Sequence, residues 1–170
     1  METMQAMRER RSVRHYTSKA VEPEKLNAVL ESVRLVPSRH NDQNIRCIVV
    51  RDPAVKKAIR EQANTQLMVE EADTLLAFVA TDALDFVMPC GQYGYTADMY
   101  LALGYAILAA ADQGLDSCIV CAFEETAVKK ILNVPCECRI PCMAVIGYGD
   151  DPSPRKVKKE LDQLISYEAF

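Results

Sequence analysis

The sequence predicts an α+β domain, and three observations carry the prediction. Two helical patterns precede the first strand-like run, helices and strands then intersperse, and two strand-like runs lie near the end of the regular part of the chain. One stretch, residues 95–113, is apolar nearly all round, as expected of a helix enclosed by the fold rather than lying on its surface. This order departs from the strict strand–helix repeat of a doubly wound α/β sheet. At 170 residues the chain is the size of one compact domain with a real core, so residues 1–170 are read as a single domain.

Residues 2–10 form a short helix leading into a basic segment. Glu22-Pro23 opens a second helix with proline at a tolerated first-turn position; Leu26, Val29, Leu30 and Val33 make one apolar stripe until Pro37 stops it. RCIVVR, 46–51, reads as a buried strand from its β-branched content. Asp52-Pro53 starts a helix running through Ala58 and Ile59 to about Ala63, and DTLLAFVAT, 73–81, is a second buried strand. The long helix ends at Gly114; its length and the polar Asp98 and Asp112 make it a core helix and not a membrane span. SCIVCAF, 117–123, is a third strand, 124–133 a helix stopped near Pro135, and CMAVIGYG, 142–149, a fourth strand leaving through a glycine turn.

Composition narrows the function classes. With 49% hydrophobic residues, 26% charged and a net charge of −4, the chain reads as soluble and globular, without the broad positive field that would attract a nucleic acid. No apolar run is long enough to cross a bilayer, and METMQAMRERR lacks the apolar core of a signal peptide, so a cytoplasmic protein with no membrane partner is expected. Seven cysteines, an odd count, argue for reduced thiols rather than a disulfide framework. Cys118-Ile-Val-Cys121 and Cys136-Glu-Cys138 raise the alternative of zinc. The first pair lies in an apolar run, however, and neither histidine has ligand spacing to a cysteine, so no metal is expected. There is no G-x-G-x-x-G fingerprint, no P-loop and no serine elbow, and His15 and His40 are the only histidines. Chemistry in such a chain belongs to a bound cofactor.

RRSVRHYTSK, residues 10–19, places three arginines around one serine. One reading is a solvated basic patch. The other is an anion site: in an extended segment Arg10, Ser12 and Arg14 project to one side and Arg11 and Val13 to the other, so two guanidinium forks and a hydroxyl converge as a phosphate requires.

Two further stretches bear on that choice, VPSRHNDQN at 36–44 and DDPSPRKVKKEL at 150–161. A basic R-x-S-x-R segment, a helix ending in P-S-x-x-N-x-Q, a long apolar helix closed by G-L-x-S-C, and a late arginine after a strand ending in G-Y together resemble the nitroreductase family of FMN-dependent oxidoreductases, over nearly the whole chain. The resemblance implies a three-layer α-β-α sandwich with a mixed, mainly antiparallel sheet of four to five strands, assembled as a homodimer. It implies FMN as cofactor, NADH or NADPH as electron donor, and ping-pong hydride transfer through flavin N5 to a small-molecule acceptor such as a nitroaromatic, a quinone or another flavin. Arg10, Ser12 and the late Arg155 then resemble the FMN phosphate ligands. Arg14 resembles the cation at the N1 and O2 edge of the ring, where it stabilises the charge of the reduced flavin. Pro37, Ser38 and Asn41 match positions that reach a flavin held mainly by the other subunit, with Gln43 assisting, and Asn64 matches an amide at the ring's polar edge. Cys121 and Ala122 stand where the family commonly has Glu-Gly, in the segment whose backbone N–H faces N5; no side chain need act as acid or base.

The chain departs from the pattern at Asn44-Ile45, where Pro-Trp is common, at Arg39-His40, which replace small residues, and in the brief stretch 82–94, where larger relatives insert substrate-covering helices. Arg155 also belongs to a run with Lys156, Lys158 and Lys159 that reads equally as a solvated face. The apolar Leu161, Leu164, Ile165, Tyr167 and Phe170 make 156–170 a subunit-exchanging arm packed on a partner rather than a substrate wall. A second function stays open at this point, an FMN-binding or redox-sensing protein with little NAD(P)H turnover, whose cysteines respond to oxidation.

Overall fold

The computed structural model describes residues 2–81, 86–152 and 156–170. Six helices, α1 (Thr3–Glu9), α2 (Pro23–Arg34), α3 (Pro53–Gln62), α4 (Met68–Glu71), α5 (Gly94–Asp112) and α6 (Glu125–Leu132), surround four strands, β1 (Ile45–Val50), β2 (Thr74–Ala80), β3 (Asp116–Val120) and β4 (Arg139–Gly147). The strands form one sheet in the order β1-β2-β4-β3, and every neighbouring pair is antiparallel. The parallel contact is an isolated bridge, Ser12 to Ser117, so the mixed character of the sheet reduces to it.

Both faces of this sheet are covered. Because side chains alternate along a strand, Leu75, Ala77 and Val79 of β2 join Met143 and Val145 of β4 in one core, with Ile59 and Ala63 at the end of α3, Met68 and Val69 of α4 and Val128 of α6. Leu76, Phe78 and Ala80 face the other way with Cys142, Ala144 and Ile146, against Leu26 and Val29 of α2 and Met99, Ala102, Leu103 and Ala106 of α5. The result is a three-layer α-β-α sandwich, and burial on both sides explains why β2 and β4 read as continuous apolar runs. Asp52 caps α3, its Oδ1 accepting from the Ala54 N–H (2.7 Å) and the Val55 N–H (3.2 Å). Gly114, at φ +69°, closes α5 in the left-handed region.

Three expectations change. The run 46–51 forms a strand but not a buried one: β1 is bonded only to β2, at the sheet edge, and Val49 stays exposed. The long helix is not enclosed all round, since Tyr100, Leu101 and Tyr105 turn outward while Met99, Ala102, Leu103 and Ala106 face the sheet. The third strand ends at Val120 rather than running to 123, because the chain leaves the sheet to start α6 and is fastened there by the Glu124 N–H to the Ala63 carbonyl (2.9 Å). Among the described residues no helix is long and apolar enough to cross a membrane.

Among the described residues Phe78 is the largest fully buried side chain, and it lies in the core that the sheet forms with α2 and α5. Phe78→Ala is expected to cost about 3–5 kcal/mol, read as a lower urea midpoint at unchanged slope. Glu125 ties α6 to β4, accepting from Arg139 Nε at 3.0 Å and from the Ile140 N–H at 2.7 Å. Burial raises its carboxyl, but the hydrogen bonds from Arg139 and Ile140 and the charges of Arg139 and Lys129 outweigh burial and hold the group below its ordinary value. A carboxylate depressed in the folded state adds stability above its unfolded pKa and loses it as the pH falls through the folded one. Glu125→Gln is therefore expected to cost about 1–3 kcal/mol at pH 7, a gap that narrows below about pH 4.3. Urea unfolding of both proteins across that range would show a constant gap if the assignment were wrong.

Candidate functional site

The basic segment is fixed in place by backbone bonds to distant strands. The Val13 N–H donates to the Ser117 carbonyl (3.0 Å) at the start of β3, and Val13 itself is fully buried. Further along, the Thr17 N–H donates to the Tyr148 carbonyl (2.9 Å) and the Asp150 N–H to the His15 carbonyl (2.8 Å). The Arg14 N–H donates to Oδ2 of the buried Asp151 (3.0 Å). Asp116 Oδ2 accepts from the Gly149 N–H (3.0 Å). A Cβ at Gly149 would stand 2.7 Å from that same carboxylate oxygen and 2.7 Å from Val13 Cγ1, so the crossing of the two segments leaves room only for glycine.

Within this frame Arg10, Ser12 and Arg14 all act on Cys118: burial raises its thiol, while the Arg14 charge, a hydrogen bond with Ser12 and the Arg10 charge pull it down. Arg11 Nη2 donates to the Asp151 carbonyl at 3.0 Å. A cavity of ≈ 200 Å³ opens beside the cluster, lined by Arg10 and Arg11 with Ser117, Gly114 and the acidic Glu9 and Asp116. Guanidinium groups beside a hydroxyl are the donor types that a phosphate takes up. Arg155 lies outside the described residues; Asp151, four positions before it, is bonded to the cluster's own segment.

The Pro37–Gln43 loop lies elsewhere in the chain. Its bends are left-handed at His40, Asn41 and Gln43 (φ 51°, 61° and 54°). Ser38 Oγ accepts from the Gln43 N–H at 2.9 Å, and Gln43 Nε2 donates to the Asn41 carbonyl at 3.2 Å. Arg39 does not project freely: it pairs with Asp42 (2.9 Å), lies 4.3 Å from the Phe86 ring centre, and its N–H donates to Asp98 Oδ1 (3.3 Å) at the start of α5.

At the far end of β3 from the arginines, Cys121 is exposed beside α5, with the Tyr100 hydroxyl 3.7 Å from its Sγ. Cys118 and Cys121 are three residues apart, about 10 Å along extended chain. Asn64 follows α3 with a left-handed backbone (φ 53°), next to the Ala63 carbonyl that anchors Glu124. The structure thus brings Asn64 and the Cys121-Ala122 segment to one end of β3 and the arginine cluster to the other. It does not bring the Pro37–Gln43 loop to them. Asp98, which holds the loop, and Tyr100, which holds Cys121, are about 200° apart around the helix, and Asp98 is about 20 Å along it from Ala111 at the arginine cavity.

Sequence reasoning missed Asp116, Gly149 and Asp151, which orient the basic segment, and Tyr100, hidden in an apolar helix. The pairing of 14–17 with 148–151 carries no local signal, since it joins segments more than a hundred residues apart.

The nitroreductase family model matches residues 7–96 and 92–148 of the chain. A protein of Thermus thermophilus named NADH dehydrogenase is 32% identical over 186 residues, covering 92% of this chain and 91% of that protein. The FMN reductase [NAD(P)H] of Bacillus subtilis is 29% identical over 185 residues, covering 99% and 74%. In fold, the chain superposes on the solved structure of B. megaterium NfrA2 with a TM-score of 0.88 at 24% identity, over 100% of this chain and 76% of that one.

Proposed function

The chain belongs to the nitroreductase family, and on that premise we propose that it is an NAD(P)H-dependent oxidoreductase that uses FMN in sites completed by a second copy of itself. The observation that carries the reading is the basic segment held by backbone bonds to both β3 and the exit of β4, with Arg10 at the adjoining cavity. Its chemistry fits the group: a phosphate monoester near neutral pH carries more than one negative charge and takes up guanidinium forks and a hydroxyl together. FMN, when bound, supplies two-electron chemistry, accepting hydride from NADH or NADPH and passing it in a second half-reaction to a nitroaromatic, a quinone or a flavin.

The protein's part is to bind, orient and polarise. Arg10 and Ser12, with Arg155, hold the phosphate. Arg14 sets its charge by the polar edge of the ring, where negative charge grows on reduction. Asn64 offers an amide to the ring from the Cys121 end of β3. The backbone N–H groups of the Cys121-Ala122 segment supply fixed donors that do not depend on side-chain identity, though alanine holds the backbone more narrowly than the glycine common there.

Pro37, Ser38, Asn41 and Gln43 act on the flavin of the partner subunit. Supporting this, the loop and Cys121 flank α5 from opposite sides in one chain, so one flavin touches both only when two copies meet. The surface for that meeting is present. Tyr100, Leu101 and Tyr105 of α5 remain 44, 41 and 40% exposed, and Met4 and Met7 of α1, a helix packed on α5, are exposed as well. Residues 156–170 form the arm of this dimer: Val157, Leu161, Leu164, Tyr167 and Phe170 are all strongly exposed in the single chain.

Purified protein is expected to be yellow and to bleach rapidly with NADH or NADPH in the absence of oxygen; bleaching only with dithionite would identify a flavin binder without turnover. Arg10→Ala is expected to weaken FMN binding by about 1.5–3 kcal/mol, measured by fluorescence titration. Arg11→Ala, whose guanidinium is directed to Asp151, should cost much less, and equal losses would contradict the division of the arginines. Leu101→Asp is expected to convert the dimer to monomer in sedimentation experiments and to release FMN with it. A dimer that survives the substitution would place the interface elsewhere.

A further inference from the structure

We propose that Cys121 and Cys142 are a cross-strand thiol pair that closes to a disulfide, a modification site at the end of β3. The last pair of the β3–β4 ladder is Val120 opposite Met143, and the same register carried one residue past the end of β3 sets Cys121 against Cys142. Opposed Cα atoms in an antiparallel ladder are about 4.5–5.5 Å apart, inside the range of about 4.4–6.8 Å that a disulfide spans. Val120 and Met143 share one core; alternation therefore turns both cysteines to the other face, toward α5.

Tyr100 of α5 independently ties the two segments together. Its hydroxyl lies 3.7 Å from Cys121 Sγ and 3.2 Å from the carbonyl of Pro141, the neighbour of Cys142, and can donate to either. That hydroxyl is pushed up to about 12, first by the hydrogen bond to Cys121, then by burial and the charges of Cys121 and Cys142. Burial pushes the Cys142 thiol up to about 12 as well, with Cys121 and Cys47 adding to it. Competing pairings are disfavoured. Cys47 and Cys142 flank Phe78 on opposite sides, two strands and about 9.6 Å apart, and Cys118 belongs to the opposite core.

The two thiols divide the work. Cys121 is exposed and is the attacking group; Cys142 is buried, its thiol near the Met99 carbonyl (3.8 Å), and resolves. The oxidant is a low-molecular-weight disulfide. The Cys121 thiolate attacks one of its sulfurs, forming a mixed disulfide and expelling one thiolate. Cys142 loses its proton, attacks the Cys121 sulfur and expels the second. Two protein thiols are oxidised and one small disulfide is reduced to two thiols. The high Cys142 value makes the second step the slow one. Closure removes the Cys121 thiol from Tyr100 and clamps the 121–122 segment to β4. Resting on the function proposed above, that clamp shifts the backbone donors aimed at the flavin and slows its reduction.

The test treats the purified full-length chain with oxidised glutathione, alkylates remaining thiols and maps peptides by mass spectrometry. A peptide linking Cys121 to Cys142 is expected, reversed by dithiothreitol, retained in Cys47→Ser and absent from Cys121→Ser and Cys142→Ala. Glutathione capping of Cys121 with Cys142 still alkylated would overturn the pair. In linked protein, bleaching by NAD(P)H should slow about ten- to a hundredfold and recover on reduction; an unchanged rate would overturn the regulatory role. The two readings fail separately. A chain that forms the link but takes up no FMN defeats the oxidoreductase and keeps the pair, whereas one that binds FMN and turns over without ever linking does the reverse.

Discussion

The arrangement depends on one set of backbone bonds, those that fasten residues 13–17 to Ser117 at one side and to residues 148–151 at the other. Without them Arg10 and Arg14 would be the mobile surface charges that a basic run usually represents, and an exposed guanidinium gains little from an anion when it must first be ordered. With them, the ordering is accomplished in folding. Val13 is buried, the Arg14 N–H is held by a buried carboxylate, and Gly149 permits the close crossing that makes both possible. Most of the hydrogen bonds that align the segment are made by its backbone.

A sheet covered on both faces has no room for a substrate in its middle, so chemistry is displaced to its rim. Every candidate residue obeys this. The arginine cluster stands at the start of β3 beside the end of α5, Asn64 and Cys121 at the other end of β3, and the Pro37–Gln43 loop just before edge strand β1. The same packing explains the division of α5. One side supplies the core of its layer, and the other, carrying Tyr100, Leu101 and Tyr105, is left as apolar surface that a second copy can cover.

Most of the fold was legible because its signals are local. Proline at the first turn of α2 and α3, the Asp52 cap, Gly114 after α5 and the apolar runs of β2 and β4 each act through near neighbours, and each marks its element to within a few residues. Strand composition does not report position in the sheet, so RCIVVR was as apolar as a central strand requires and yet lies at the edge. Helix α4, four residues long, is too short to show a period. For the site, alternation along 10–14 sets Arg11 apart from the other two arginines; Arg11 Nη2 does donate to the Asp151 carbonyl, yet Arg10 and Arg11 line the same cavity. Asp116, Asp151 and Tyr100 were not legible: a carboxylate or a tyrosine acquires its role only from what the fold places against it, and their partners are 33, 137 and 21 residues away.

The acidic balance of the chain, −4 overall, makes an anion site appear misplaced. Glu9 and Asp116 even line the cavity beside Arg10. The resolution lies in how those charges are engaged. Asp116 accepts the Gly149 N–H and Asp151 the Arg14 N–H, so each spends hydrogen-bonding capacity on backbone and orients the segment that carries the arginines. A carboxylate so held still repels an incoming phosphate through space, but a guanidinium in direct contact gains both shorter distance and directed hydrogen bonds. Local geometry, not net charge, therefore decides the sign of the site. An acidic protein can keep a dianion where two forks and a hydroxyl converge, while the field over the rest of its surface offers a polyanion such as a nucleic acid no comparable attraction.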